Sequence, residues 1–369
     1  MVKSKRKFKL QLFLRVNQFF VVLLLLTYIS PYVQPQFFWP LSVFGLSYLL
    51  LLLINIIFII IWLLFLNKNF LYSLLAILLG LGTFNKHFKF KKNIEQSEIQ
   101  SFKLLSYNVK WLSNSNDKNA DIKVRNAIQN YLKEQNTQII CLQEFQTYPS
   151  KGVNTVKEFQ ERLKMPWYAE SRYLNKSKFK FIDLMLIYSK YPIIKQQELR
   201  HQEKCYALIV DIVYKKDTLR LFNVHLESNH FARDEYEIFS NPDASFNENT
   251  RNSIAVLFKK LARYSKTRSV QVNQINELIK NSPHPVLVCG DFNDTPGTYT
   301  YRKMAKNLKD AFIEKGKGYG NTFNGKLPAM RIDYILSDTI FQIHQFEIGK
   351  FDKSDHFPII STLSLRPQK

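Results

Sequence analysis

The apolar residues divide the chain in two. From Val16 to Asn67 there are 52 residues without a charged side chain, and after Lys68 a second uncharged run of 17 residues extends from Asn69 to Asn85. A membrane-spanning helix needs about 20 apolar residues, so the longer run has room for two. Ser30, Pro31, Pro35 and Pro40 mark a turn between them. The pattern predicts spans at about 12–30 and 41–66, the first passing Arg15, whose long stem lets its charge snorkel to the interface. The run 69–85 lies at the short end of the spanning range and contains Gly80 and Gly82. Residues 1–85 therefore read as an anchor and the polar residues 86–101 as a linker.

From Phe102 the rhythm changes to short apolar runs alternating with amphipathic stretches, the signature of an α/β domain over 102–369. Strands are predicted at Lys103–Val109, Gln138–Glu144, Phe181–Tyr188, Val286–Cys289, Arg331–Leu336 and Pro358–Leu363. Tyr206–Tyr214 and Thr218–His225 pair as an antiparallel hairpin across Lys215-Lys216-Asp217. Helical spacing appears in Ala120–Gln135 (Val124, Ile128, Tyr131, Leu132) and in Arg251–Lys280.

Charge adds a constraint on partners. The first 103 residues carry twelve Lys and Arg against two Glu, and the remaining 266 carry forty against twenty-eight. A basic soluble part favours anionic partners such as nucleic acid, phospholipid headgroups or phosphate esters, without choosing among them. Six basic residues (Lys3, Lys5, Arg6, Lys7, Lys9, Arg15) precede the first span and hold the N-terminus in the cytoplasm. Three spans then place the large domain outside, as part of a multi-pass membrane protein. Lys86, Lys89, Lys91 and Lys92 pull the other way, and if the third run lies in the interface the domain is cytoplasmic. Three spans are the preferred reading, because a 17-residue apolar run has few other uses beside a membrane. Cys141, Cys205 and Cys289 have neither disulfide-framework nor metal-site spacing, and read as small buried hydrophobes.

The candidate chemistry sits at strand ends. In VLVCGDFNDTP (Val286–Pro296), Gly290 ends the strand, and Asp291 and Asn293 leave it on one side. A carboxylate there takes a proton from water or holds a metal, and an amide donates to a phosphoryl oxygen; a plain hairpin turn is the other reading. Asn108, Glu144, His225, Asp333, and Asp355 with His356 also fall at or beside strand-like runs. Each alone has an ordinary structural explanation, such as a turn cap, a solvated strand end or a satisfied core histidine. One such residue at nearly every strand end points to a shared cleft.

The ordered series SYNV, LQE, YSKYPI, NVHLES, GDFNDTP, RIDYIL and SDHFPI resembles the endonuclease/exonuclease/phosphatase superfamily over about 102–366. That group includes pancreatic-type DNases, abasic-site endonucleases, inositol polyphosphate phosphatases and neutral sphingomyelinases; the tethered arrangement is similar to bacterial membrane members. The resemblance implies an α/β four-layer sandwich of two packed β-sheets flanked by helices, here preceded by an N-terminal bundle of two to three transmembrane helices. It implies a divalent metal, Mg2+ or Mn2+, held by Glu144, with Asn108 and Asp355 as further candidate ligands. Asp291 matches the group that orients or deprotonates the attacking water, and Asn293 the transition-state donor. Asp355 and His356 match a terminal pair in which the carboxylate orients the imidazole, Asp333 a supporting carboxylate, and His225 a histidine on the leaving-group side. Asp183 stands where many members have a small residue, and Tyr206 is a poor match to the abasic-site enzymes' tyrosine. Together with His225 and the anchor this argues against a repair enzyme. The expected activity is a membrane-anchored phosphodiesterase acting on nucleic acid or a phospholipid headgroup; the alternative is a non-catalytic tethered module that binds phosphate-bearing ligands. Asn229–Asn249, rich in aromatics, is expected to overhang the cleft as a specificity lid or to pack as a surface loop.

Overall fold

The structure is a computed structural model that describes residues 2–90, 101–112, 118–147, 155–171, 182–229, 248–325 and 330–366. Most of the segment expected as a lid lies outside these residues.

The N-terminal part is helical: α1 (Val2–Ile29), α2 (Pro35–Phe38), α3 (Pro40–Leu46), α4 (Tyr48–Leu64), α5 (Phe70–Leu79) and α6 (Leu81–His87). Among the described residues one helical stretch, Lys9–Tyr32, is by itself long and apolar enough to cross a membrane. The pair α3 and α4 passes the same test jointly but is bent by 65°, and α5 is shorter. Leu24, Tyr48, Leu51, Leu52 and Ala76 pack α1, α4 and α5 together. Their polar groups satisfy one another inside this bundle. Asn17 Nδ2 donates to Ser73 Oγ at 2.7 Å, Ser73 Oγ donates to Asn55 Oδ1 at 2.9 Å, and Trp62 Nε1 donates to Asn17 Oδ1 at 2.9 Å. An apolar bundle tolerates buried amides when each finds such a partner.

The larger part continues through β1 (Phe88–Lys89), β2 (Phe102–Asn108), α7 (Lys118–Glu134), β3 (Ile139–Thr147), α8 (Thr155–Leu163), β4 (Trp167–Glu170), β5 (Ile182–Ser189), β6 (Ile193–His201), β7 (Lys204–Tyr214) and β8 (Asp217–His225). It closes with α9 (Glu248–Lys280), β9 (Val286–Asp291), α10 (Tyr299–Met304), β10 (Lys309–Asp310), α11 (Ala311–Lys315), β11 (Gly318–Tyr319), β12 (Asp333–Ser337), β13 (Phe341–Ile348) and β14 (Ile359–Leu365). Where the sequence reads as a linker from residue 86, the chain instead finishes α6 and pairs β1 with β11.

Two six-stranded sheets form, ordered β13-β14-β2-β3-β5-β4 and β10-β12-β9-β8-β7-β6. Strand period sorts the side chains. Leu104, Ile139, Cys141, Ile187 and Leu363 of the first sheet meet Leu208, Val210, Leu221, Leu287, Cys289 and Ile335 of the second, making the core between the sheets. The outer face of the first sheet packs Leu105, Ile140 and Leu142 against Ile128, Leu132 and Phe159 of α7 and α8. The outer face of the second packs Phe222, Val224 and Val288 against Val272 and Ile275 of α9 and Tyr301 and Met304 of α10. Helix–sheet–sheet–helix layering follows, with two packed sheets and helices on both sides.

Candidate active site

The inward-facing rows change character at one end. On β8 the row runs Leu219, Leu221, Asn223, His225, and on β9 Leu287, Cys289, Asp291. Apolar residues fill the middle and polar ones occupy the last positions. Register then aligns them. His225 lies opposite Asp291 on the parallel pair β8–β9, and Asp333 lies opposite Asp291 on the antiparallel pair β12–β9. Three candidate side chains from three adjacent strands thus stand in one row, with Asn108 at the end of β2 facing them from the other sheet.

Contacts join the two sheets across this row. Asn108 Nδ2 donates to Glu144 Oε1 at 3.1 Å and to Asp291 Oδ2 at 3.2 Å. Glu144 reaches inward because β3 carries an irregularity between Leu142 and Phe145, and its backbone is left-handed (φ 51°). An extra strand residue of this kind re-aims a side chain. His225 Nε2 lies 3.4 Å from Glu144 Oε1 and 3.9 Å from Asp291 Oδ2. Asn293, also left-handed (φ 52°), donates its backbone N–H to Asp291 Oδ1 at 2.8 Å and its side-chain amide to Leu226 O at 3.0 Å. Gly290 (φ 131°) brings β9 against β8 so closely that a Cβ would sit 1.9 Å from the Val224 carbonyl oxygen.

The histidine at the chain's end is paired differently from the sequence reading. Asp333, not its neighbour Asp355, faces the His356 imidazole: Nδ1 lies 3.0 and 3.2 Å from the two Asp333 oxygens. Asp355 turns outward to Lys110 Nζ, 2.8 Å away. Adjacent residues on extended backbone point to opposite sides, so an Asp-His dipeptide cannot readily present both groups to each other. His356 Nε2 is 3.7 Å from Asp291 Oδ2. Thr322 Oγ1 accepts the backbone N–H groups of Ile332 and Asp333 and holds that strand start in place.

Burial sets the protonation. Removal from water pushes the Asp291 carboxyl up; the His356 charge opposes this and Asp333 adds to it, leaving it at about 7. For His356, burial alone lowers the imidazolium, but Asp333 and then Asp291 overcome it and raise it to about 10. The pair therefore holds a cationic imidazole beside a carboxyl that titrates near neutrality.

Several supporting residues were not among the sequence candidates. Gln143 Nε2 donates to Ser106 Oγ at 3.1 Å and to Asn223 Oδ1 at 2.6 Å, and Asn223 Nδ2 donates to the carbonyls of Leu142 and Leu186 at 3.0 Å each. This buried amide layer ties the sheets together directly beneath the row. The signal for it was a polar residue at an inward position of each strand, Gln in LQE and Asn in FNVH. Ser354 Oγ donates to the Asn108 carbonyl at 2.8 Å. Arg268 of α9, fully buried, donates to Asp294 Oδ2 at 3.2 Å and to Glu227 O and Asn229 Oδ1 at 2.9 Å each. A cavity of about 440 Å³ opens beside His225, lined among others by Ser171, Met185, Arg200, His201 and Lys204.

The donor set fits a hard divalent cation. Ligand atoms of Asp291, Asp333 and His356 all lie within 4.8 Å of one another. His356 Nδ1 is engaged by Asp333 at 3.0 Å, and the two carboxylates supply oxygen donors. Glu144 Oε1, held by Asn108 Nδ2 at 3.1 Å and 3.4 Å from His225 Nε2, adds a further carboxylate to the set; oxygen donors are what magnesium and manganese take.

These features agree with what the chain is similar to. The model of the Endonuclease/Exonuclease/phosphatase family matches residues 105–356, and the chain belongs to that family. Residues 10–87 match a second model, a domain of unknown function (DUF8431). Among solved structures, a family protein from Leptotrichia buccalis is 14% identical with a TM-score of 0.51, covering 72% of this chain and 100% of that one. Another, from Bacteroides vulgatus, is 16% identical with a TM-score of 0.50, covering 73% and 100%. Humanized D. rerio TDP2 is 17% identical with a TM-score of 0.49, covering 72% and 99%. At these identities the likeness is one of fold. A search of curated proteins finds no match.

Proposed function

We propose that the chain is a membrane-anchored, divalent-metal-dependent phosphodiesterase that hydrolyses a phosphate ester by in-line attack of water. The observation that carries this is the single row His225–Asp291–Asp333 with His356 and, across the cleft, Asn108 and Glu144. A binding module has no need of a carboxyl raised to about 7 next to an imidazolium raised to about 10.

Each group has a role that its surroundings prepare. Asp291, ionised in a large fraction at neutral pH, accepts a proton from the attacking water. Asn108 and the Asn293 backbone N–H hold both of its oxygens in place. His356, kept cationic by Asp333, donates a hydrogen bond to a phosphoryl oxygen as its charge builds. The Asn293 amide is a further donor on the same side. His225 lies at the other end of the row, beside the cavity that would receive the leaving group. Glu144, with Asn108 beside it, would hold a divalent cation, Mg2+ or Mn2+, which when bound would supply neutralisation of phosphoryl charge. Asp355, paired with Lys110, is a less direct ligand candidate.

The anchor reading rests on Lys9–Tyr32, on the bent pair α3–α4 and on α5 packing into the same bundle through the Asn17–Ser73–Asn55 network. An Asn–Ser–Asn network shared by three helices supports three spans, with the catalytic domain on the side opposite the basic N-terminus. Nucleic acid and phospholipid headgroup are the two substrate readings that the basic surface supports. The test is to assay the full chain in detergent against DNA, RNA, sphingomyelin and phosphoinositides with magnesium and with excess chelator. Hydrolysis of at least one that stops in chelator is the expected result. Undiminished turnover in chelator, or none on any substrate, overturns the proposal.

A further inference from the structure

The anchor does more than touch the catalytic domain: it grips the segments that carry the site. Gly45 at the domain end of α3 meets Gly297 backbone to backbone. A Cβ on Gly45 would lie 2.4 Å from the Gly297 carbonyl oxygen and 2.6 Å from Ser30 Oγ, and one on Gly297 would lie 2.7 Å from the Gly45 carbonyl oxygen. Thr295 Oγ1 donates to that same Gly45 carbonyl at 3.1 Å, in a buried position. Thr295 and Gly297 belong to the loop that begins with Asp291 and Asn293. Next to this contact, Gln36 of α2 grips α9 on either side of Arg268. Its Nε2 donates to the Lys266 carbonyl at 2.9 Å, and its Oε1 accepts from Ser269 Oγ. Arg268 is the cation that ties Asp294 to the segment following His225. On the opposite lip, Arg331 Nη2 donates to the Lys86 carbonyl at 2.7 Å, two residues before Asp333, and Gly320 N–H donates to the His87 carbonyl.

We infer that the domain end of the anchor is a positioning element of the active site, with Gly45, Thr295 and Gly297 holding the Asp291–Asn293 loop. This rests on the proposed catalytic role of Asp291. The physical reason lies in where the loop is held: Arg268 and the Tyr334 hydroxyl fix Asp294 from inside the domain, whereas Thr295 and Gly297 bear on Gly45 of the anchor. Both of its conformationally special residues are spent at Gly290 and Asn293, and beyond Asp294 its outward side is covered by the anchor. Displacing it moves the general base and the Asn293 donor together, and misplacement of about 1 Å costs up to roughly a hundredfold in rate.

The experiment uses the full chain in nanodiscs. Gly45→Val forces a side chain into backbone that cannot yield; Thr295→Val removes the hydrogen bond at nearly constant shape and keeps the test open if Gly45→Val fails to fold. Gly82→Val, in open space with nothing within 4 Å, is the anchor control. We expect kcat to fall about tenfold or more in both site variants, with KM within about twofold and the control unchanged. Hydrogen exchange of the peptide covering 291–298 is read in parallel and needs no activity: it speeds up in both variants and not in the control. Unchanged exchange in that peptide together with unchanged kcat overturns the inference, as does a change in KM alone. Faster exchange in chains whose wild type is inactive on every substrate instead overturns the proposed function and leaves the coupling standing.

Discussion

Asp333→Asn keeps side-chain size and removes the charge that faces His356. Asp333 presents both oxygens to Nδ1 at 3.0 and 3.2 Å, and both residues are buried. Burial lowers the imidazolium, Asp333 and Asp291 together raise it, and the balance lifts it from 6.5 to about 10. At about 1.36 kcal/mol per pKa unit, the net rise is on the order of 5 kcal/mol. With Asp333 gone, Asp291 at 3.7 Å is the nearest remaining carboxylate, and the opposing effect of burial is unchanged. The imidazole of the variant should therefore titrate lower by about two units or more. After a drop of about two units it is about half neutral at about pH 8 and about nine-tenths neutral at about pH 9, so the rate falls by about twofold at about pH 8 and about tenfold at about pH 9; at about pH 6 the deficit is small. The sign for stability follows from the same shift. The folded pKa is above the unfolded one, so this contribution is fully present below about pH 6.5 and disappears as pH rises through about 10. The variant's melting-temperature deficit should thus be largest in mild acid and shrink toward about pH 10. A pH–rate profile of the full chain, with melts in chelator, measures both. A variant profile whose alkaline limb coincides with that of wild type refutes the pairing.

Three further outcomes are expected. Burial raises the Asp291 carboxyl from 3.8 to about 7, so its ionised form weighs against folding; in chelator at about pH 8, Asp291→Asn should melt higher than wild type, the gain shrinking as pH falls toward about 4, and a lower melting temperature at pH 8 would contradict the burial argument. Arg268→Met leaves Asp294 buried without its cation and should destabilise the domain by about 3–5 kcal/mol in chemical denaturation, with an effect under about 1 kcal/mol counting against it. External protease on intact spheroplasts should remove the catalytic domain; protection until lysis would place it in the cytoplasm.

Much of the site could be read from the chain because it obeys strand period. Asn108, His225 and Asp291 each end an apolar run and Asp333 opens one on an antiparallel strand, and side chains two apart share a face, so the alternation that fills the core also delivers a terminal member to the cleft. Pairing was less legible. Asp355 and His356 are neighbours in sequence, yet the carboxylate that meets the imidazole comes from 23 residues away. Glu144 needed a strand irregularity that no residue type announces. β6, IIKQQELRH, escaped notice because an edge strand with exposed Lys, Gln and Glu has no apolar period to find. β13, FQIHQFEI, loses its alternation at the irregularity between Ile343 and Gln345. The length of the N-terminal apolar segment was visible, but its contacts with Thr295, Gly297 and Arg331 were not, since glycine pairs and carbonyl acceptors leave no compositional trace.

The most direct test of the account compares the wild-type full chain with Asp291→Asn on bis(p-nitrophenyl) phosphate in magnesium. Nitrophenolate release should drop by about a hundredfold or more at neutral pH, the scale of a lost acid–base group; turnover by Asp291→Asn close to that of wild type would contradict the assignment of Asp291 as the base that activates water.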